Sequence, residues 1–270
     1  MNAPPASVIS DSSERVSAPH SQRPVKLLVS VREAIEAELA IAGGVDLIDI
    51  KEPSRGSLGA VAPERVSRML DSLTALTVPG SYFPGKTVPF SAALGELRDW
   101  QPAPIDPRLA FVKLGLAGCA ERSDWQLAWA TALQSVGPST AKVAVAYADW
   151  RTAQAPQPCD VLQAGVRIGC RAVLVDTFDK SQGNLLAHWN LADLANFVAE
   201  VRQQGLTIVL AGSLDRDAIR TILPLAPDYL AVRGAACAGG RTSRLDATRI
   251  AQLVSLLRDA DHAAAVSRGT

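Results

Sequence analysis

A chain of 270 residues that is 48% hydrophobic and 20% charged fits one large α/β domain or two small ones, and it is too apolar for disorder. Lysine plus arginine and aspartate plus glutamate balance at 27 each, which leaves no basic footprint for nucleic acid or for an anionic membrane. No apolar run approaches the ~20 residues of a membrane helix. The four scattered cysteines show no CxxC spacing, which argues against structural zinc and a disulfide framework and makes a reducing cytoplasm the expected compartment.

Residues 1–24 are rich in Ser, Pro and Ala and lack the charged start and apolar stretch of a signal peptide, so a disordered tail is expected there. From Val25 onward short apolar strands alternate with helical patterns. The first strand is Lys26–Val31, followed by a helix over Arg32–Ala42 that Gly43 and Gly44 stop. The second strand, Val45–Ile50, ends abruptly at Lys51. A helix from about Pro63 through Leu73 follows, and then a third strand over Val88–Leu94, its start blurred by Pro89. The fourth strand, Ala110–Leu116, holds Lys113 inside an apolar run. Further strands are expected at Lys142–Ala148, Ala172–Thr177, Thr207–Ala211 and Tyr229–Val232. Helices are expected over Asp124–Val136, Cys159–Ile168, Leu191–Gln204, Asp215–Leu223 and Asp246–Asp259, with a C-terminal tail at 261–270.

Strands separated by helical patterns indicate βαβ units and a parallel sheet. Eight such units over residues 25–260 fit a single (β/α)8 TIM barrel, for which ~250 residues is typical. The competing open doubly wound sheet lacks a G-x-G-x-x-G turn after its first strand.

Active sites of such barrels occupy the carboxyl ends of the strands, and alternate strands share an interior layer. The second, fourth, sixth and eighth strands there carry Lys51, Lys113, Asp176 and Arg233. Burial and a neighbouring cation both lower a lysine pKa, and a neutral lysine forms a Schiff base with an aldehyde or ketone. The second lysine or Asp176 is then the candidate general base. The loops after the last two strands hold Gly212 and Ser213, then Arg233 and Gly234; small residues at this place suit a phosphate, and Arg233 adds a bidentate donor. Ser30 is a small polar group at the mouth. Asp149 either orients a lysine or caps the next segment, and Lys180 reaches a phosphate or lies in solvent.

At these residues the chain resembles the (5-formylfuran-3-yl)methyl phosphate synthases, also called 4-(hydroxymethyl)-2-furancarboxaldehyde-phosphate synthases. The motifs that carry the resemblance are LLVSV at 27–31, AGGVDLIDIKEPSRGSLGA at 42–60, FVKLGLAG at 111–118, VAYAD at 145–149, VLVDT at 173–177, LAGS at 210–213 and VRGAACAGG at 232–240. The resemblance implies a lyase-type TIM-barrel enzyme of methanofuran or methylofuran biosynthesis. It would condense two glyceraldehyde 3-phosphate molecules into the furan phosphate, with loss of phosphate and water and without a metal or organic cofactor. Lys51 would form the Schiff base, Lys113 would accept the proton, and Asp176 with Lys180 would assist. The long N-terminal tail suggests the methylofuran branch. Residues 78–88 and 154–158 depart from the archaeal pattern, which leaves substrate-entry contacts and any homo-oligomer open. The alternatives are another Schiff-base class I aldolase acting on a sugar phosphate, or a barrel that binds phosphorylated metabolites as a regulator.

Overall fold

The computed structural model describes residues 24–76 and 88–266. Its strands are β1 (Lys26–Val31), β2 (Leu47–Ile50), β3 (Phe90–Glu96), β4 (Phe111–Gly115), β5 (Ala141–Tyr147), β6 (Ala172–Asp176), β7 (Thr207–Leu210) and β8 (Tyr229–Val232). They pair in parallel and in chain order, and β1 pairs with β8 to close the barrel. The helices are α1 (Ala34–Ala42), α2 (Pro63–Leu76), α3 (Trp125–Ala132), α4 (Pro158–Arg167), α5 (Leu185–His188), α6 (Leu191–Gln203), α7 (Arg216–Ile222) and α8 (Ala247–Val266). The expected (β/α)8 architecture is the observed one.

Side-chain alternation along the strands builds two cores. In β2, Ile48 and Ile50 face the helices and join the large outer core, while Leu47 faces the barrel axis with Leu28, Val145, Leu174 and Val209. That same alternation turns Asp49 inward. Strands covered on both faces are therefore nearly continuous apolar runs, and a polar inward residue has a buried environment to satisfy.

Most boundaries agree with expectation to within two residues, and the differences have local causes. β2 starts at Leu47 because Val45 N–H still bonds Ala40 O at the end of α1. The connection from β3 to β4 makes a single 3-10 turn, Leu97–Asp99, where Pro102, Pro104 and Pro107 bar a longer helix. The one-turn α5, capped by Asn184, has too short a pattern to stand out. α8 continues to Val266, into the stretch expected to be tail from residue 261, because Ala263, Ala264 and Ala265 favour helix. The expected N-terminal tail, apart from Pro24, lies outside the described residues, as does most of 78–88.

Candidate active site

The carboxyl ends of the strands open onto a cavity of about 460 Å³. Lys51, Lys113, Asp176 and Arg233 all line it, as do Ser30, Lys180, Gly212, Ser213 and Gly234. Both candidate lysines thus face one space.

Three lysines meet here, and their partners differ. Lys113, on β4, forms a buried ion pair with Asp49 Oδ1. Asp49 also accepts from Ser91 Oγ at 2.7 Å and from Ser30 Oγ at 3.1 Å. Burial would push its carboxyl up, but Lys113, Lys51 and the hydrogen bonds from Lys113 and Ser91 outweigh it and hold it below the usual carboxylate range. Lys180 reaches back one turn to Asp176 Oδ1 at 2.5 Å and to Thr177 Oγ1 at 3.1 Å. Asp176 is likewise held low: burial opposes this, and Lys180, Lys51 and the Ser57 hydroxyl prevail.

Among the described residues, Lys51 makes no hydrogen bond to a carboxylate. Its Nζ donates to Ser57 O at 3.3 Å. Burial is the largest influence on it and lowers its pKa to about 8, against the attraction of Asp176 and Asp49 and with help from the charges of Lys180 and Lys113. Its residue as a whole is only half-buried, because the side chain borders the cavity.

The loop after β2 lies across the mouth as a strap. Ser57 Oγ sits 3.0 Å from Asp176 Oδ2 and 2.9 Å from Thr177 O. Arg241, from the loop after β8, donates to Gly56 O at 2.8 Å. On the opposite flank, Tyr147 Oη donates to Glu96 Oε1 at 2.5 Å. Burial raises the Glu96 carboxyl and pushes the Tyr147 phenol well above its usual range. A Cβ at Gly115 would lie 2.2 Å from Glu96 Oε2, so a larger residue there would push this carboxylate out of place.

Two expected residues have other work. Arg233 was expected to offer a bidentate grip on phosphate, yet its guanidinium is fully occupied by protein. It donates to both carboxylate oxygens of Glu36 at 2.8 and 3.1 Å, to Ser30 O, to Ser243 O and to Arg241 O. Those five bonds exhaust its donors and pin α1 to the β1–β8 seam. Asp149 makes no hydrogen bond or ion pair with a lysine among the described residues; its oxygens accept from Phe178 N–H at 2.7 Å and Asp179 N–H at 2.8 Å, shaping the loop that carries Lys180. Gly212 and Ser213 both take positive φ, +102° and +50°, and the Gly212 Cα hydrogen faces Thr177, where a Cβ would come within 3.0 Å of Cγ2.

Asp49, Arg241 and Arg249 line the cavity and were not anticipated. Asp49 was signalled by its spacing, two residues before Lys51 on one strand face. The two arginines carried no such signal. Among the described residues, no group of three or more His, Cys, Asp or Glu side chains is placed to hold a metal, and no helix is long and apolar enough to cross a membrane.

The solved structures that share this architecture include phosphoribosyl anthranilate isomerase from Thermus thermophilus, with a TM-score of 0.53 and 16% identity over 87% of this chain and 99% of its own. Thiamine phosphate pyrophosphorylase from Pyrococcus furiosus also gives a TM-score of 0.53 at 16% identity, over 87% of this chain and 96% of its own. At that identity they speak to the barrel alone. Sequence relatives say more. The (5-formylfuran-3-yl)methyl phosphate synthase of Archaeoglobus fulgidus is 32% identical over 240 residues, which span 85% of this chain and 98% of the relative. The protein of that name from Methanococcus aeolicus is 35% identical over 225 residues, 79% of this chain and 91% of the relative. With the 4-HFC-P synthase family model matching residues 27–254, from β1 into α8, this chain belongs to that family.

Proposed function

We propose that this protein is a lyase-type synthase that condenses two glyceraldehyde 3-phosphate molecules into (5-formylfuran-3-yl)methyl phosphate, the furan unit of methanofuran or methylofuran, with a Schiff base at Lys51. The observation that carries the reading is the contrast among the three cavity lysines. Lys113 and Lys180 each hold a carboxylate, whereas Lys51 holds a backbone carbonyl, its one hydrogen-bond acceptor among the described residues, and has a pKa lowered to about 8. At pH 7 about a tenth of such an amine is neutral, against well under a thousandth of an ordinary lysine.

The neutral Lys51 Nζ attacks the carbonyl carbon of one triose phosphate, and water leaves to give the iminium. The iminium draws electrons from the adjacent C–H, whose proton passes to the Lys113–Asp49 pair. Within that pair Lys113 takes the proton as it passes one of its own to Asp49, so the carboxylate is the net acceptor. The resulting enamine carbon attacks the aldehyde of the second triose phosphate, and Lys180, beside Asp176, protonates the new alkoxide. Elimination of one phosphate, ring closure and dehydration complete the furan. Two triose phosphates lose one phosphate and two waters, and the atoms balance with no redox step.

The test is incubation of the purified protein with glyceraldehyde 3-phosphate alone. The expected result is a furan-aldehyde absorbance that rises in step with inorganic phosphate, and borohydride labelling confined to Lys51. Lys51→Met is expected to lower turnover by about 10⁴-fold or more. Labelling of another lysine, or an open-chain sugar phosphate as product, would overturn the reading.

A further inference from the structure

The cavity carries more positive charge than its chemistry uses. Lys113 is matched by Asp49, Lys180 by Asp176 and Arg233 by Glu36. After that pairing two guanidinium groups on the cavity wall, Arg241 and Arg249, form no ion pair among the described residues, and the other carboxylate on that wall, Asp215, caps α7 by accepting from Ala218 N–H. Arg241 is half-buried, and of its five donors one is engaged, on Gly56 O. Its backbone is fixed from both sides: Arg233 Nε donates to Arg241 O at 2.8 Å, and the loop closes through a Ser243 N–H bond to Gly240 O at 2.8 Å. Arg249 stands in the first turn of the 20-residue α8, its backbone N–H on Asp246 Oδ1 and its side chain exposed toward the cavity.

We propose that Arg241, with Arg249 on the same cavity wall, grips the phosphate of a bound triose phosphate, so that the arginine which reaches substrate after β8 is Arg241 and not Arg233. A phosphate monoester carries about −1.5 to −2 at neutral pH, which two unpaired guanidiniums match. Arg233 cannot take this part without abandoning Glu36 and three backbone carbonyls, which would leave a buried carboxylate unpaired. It serves instead as the fixed post against which the Arg241 backbone is braced. Because Arg241 also holds Gly56 O, the residue that grips the phosphate is bonded to the strap that carries Ser57 over Lys51. Phosphate recognition and closure of the mouth therefore meet at one side chain. This assignment rests on the reading above that the cavity takes phosphorylated trioses.

Glycerol 3-phosphate separates the two claims, since it has the phosphate but no carbonyl and binds without reacting. By titration calorimetry, Arg241→Gln is expected to weaken its binding by about 10- to 100-fold, the range for losing charge-assisted hydrogen bonds. Arg241→Lys is expected to recover part of the loss. Arg220→Gln, on the α7 surface, serves as the control and is expected to match the parent. In borohydride trapping at Lys51, Arg241→Gln is expected to erase most of the preference for glyceraldehyde 3-phosphate over glyceraldehyde. The proposal fails if the parent protein does not bind glycerol 3-phosphate, if Arg241→Gln binds it within fivefold of the parent, or if trapping of both aldehydes falls equally, the pattern of a residue that only braces Gly56. A parent protein that binds glycerol 3-phosphate through Arg241 yet makes no furan would sink the reaction and leave this site standing.

Discussion

Lys51 is flanked by two lysine–aspartate pairs that look alike in sequence and differ in setting. On the β2–β4 side, Lys113 and Asp49 are both almost sealed, at 5% and 2% side-chain exposure, and Ser30 and Ser91 fill the remaining oxygen positions of the aspartate. On the β6 side, Lys180 keeps 14% exposure and comes from a loop, and its aspartate is served by a hydroxyl from the strap and by the Thr177 N–H. The first pair is built into the strand framework and is suited to moving a proton over a fixed distance. The second is assembled from loops and is suited to following substrate in and out. What separates them is how completely each carboxylate would be stranded if its lysine were lost.

The largest effect should therefore be seen in the paired substitutions Lys113→Met and Lys180→Met. Removing the cation from a sealed carboxylate costs about 3–5 kcal/mol of folding stability, because an unpaired charge stays buried. Removing Lys180 leaves Asp176, itself only 3% exposed, with the Ser57 hydroxyl, the Thr177 N–H and the charges of Lys51 and Arg241, and should cost only about 1–2 kcal/mol. Urea unfolding of the two variants at pH 7 gives both numbers. Equal costs, or a larger one for Lys180→Met, would show that the two pairs are not differently sealed. Adding Asp49→Asn to Lys113→Met should return much of the loss, and Asp176→Asn added to Lys180→Met should return little.

Between the pairs, Lys51 is predicted to weaken the fold it serves. Its folded pKa of about 8 lies below the 10.5 of a free lysine. Between those pH values the unfolded chain holds more protons than the folded one, so stability rises with pH across that window, and the full cost is present below about 8. Lys51→Met should accordingly be more stable than the parent at pH 7, by about 1–2 kcal/mol after allowance for the part of the side chain that borders the cavity, and the gain should fade as pH approaches 10.5. Denaturant midpoints at pH 7 and pH 10 test this. The same pKa governs chemistry with the opposite consequence: borohydride trapping in the parent should rise about tenfold per pH unit below 8 and level off above it. A flat profile from pH 6 to 9 would mean that the amine is not buried as the structure has it.

The barrel and the lysines could be read from the chain because both are written in periodicity. Parallel strands covered on two faces are unbroken apolar runs, so an ionisable residue within or just after one, as at Lys51, Lys113 and Asp176, stands out and has a known end of the barrel to occupy. Asp49 obeys the same alternation, two places before Lys51 on the inward face, and was legible on that rule alone. Arg241 and Arg249 were not. They reach the cavity because the chain after β8 doubles back through the antiparallel bridge between Cys237 and Leu245 and the Ala238 N–H bond to Arg244 O, and no repeat marks that path. Asp149 and Arg233 show the converse difficulty. Their positions at the strand ends were evident, but whether a charged group is already satisfied by protein depends on partners such as Glu36, 197 residues away.

The smallest predicted contrast concerns single hydroxyls on the two aspartates. Ser91 Oγ, buried on β3, donates to Asp49 Oδ1 at 2.7 Å, and Ser91→Ala removes that donor from a buried carboxylate. A cost of about 1–2 kcal/mol follows for a hydrogen bond to a buried charge. Ser57 has one hydroxyl proton and two acceptors in reach, Asp176 Oδ2 and Thr177 O, so it donates to one of them at a time, while Lys180 and the Thr177 N–H remain on the aspartate. Ser57→Ala should thus cost about 0.5–1 kcal/mol. Its main effect should fall on the strap, since the Ser57 carbonyl that holds Lys51 survives the substitution but loses its anchor to β6. The expected signature is an unfolding midpoint close to that of the parent together with a raised KM for glyceraldehyde 3-phosphate, whereas Ser91→Ala should lower the midpoint and leave KM nearly unchanged. If the two variants exchanged these signatures, the framework pair and the loop pair would have to exchange roles as well.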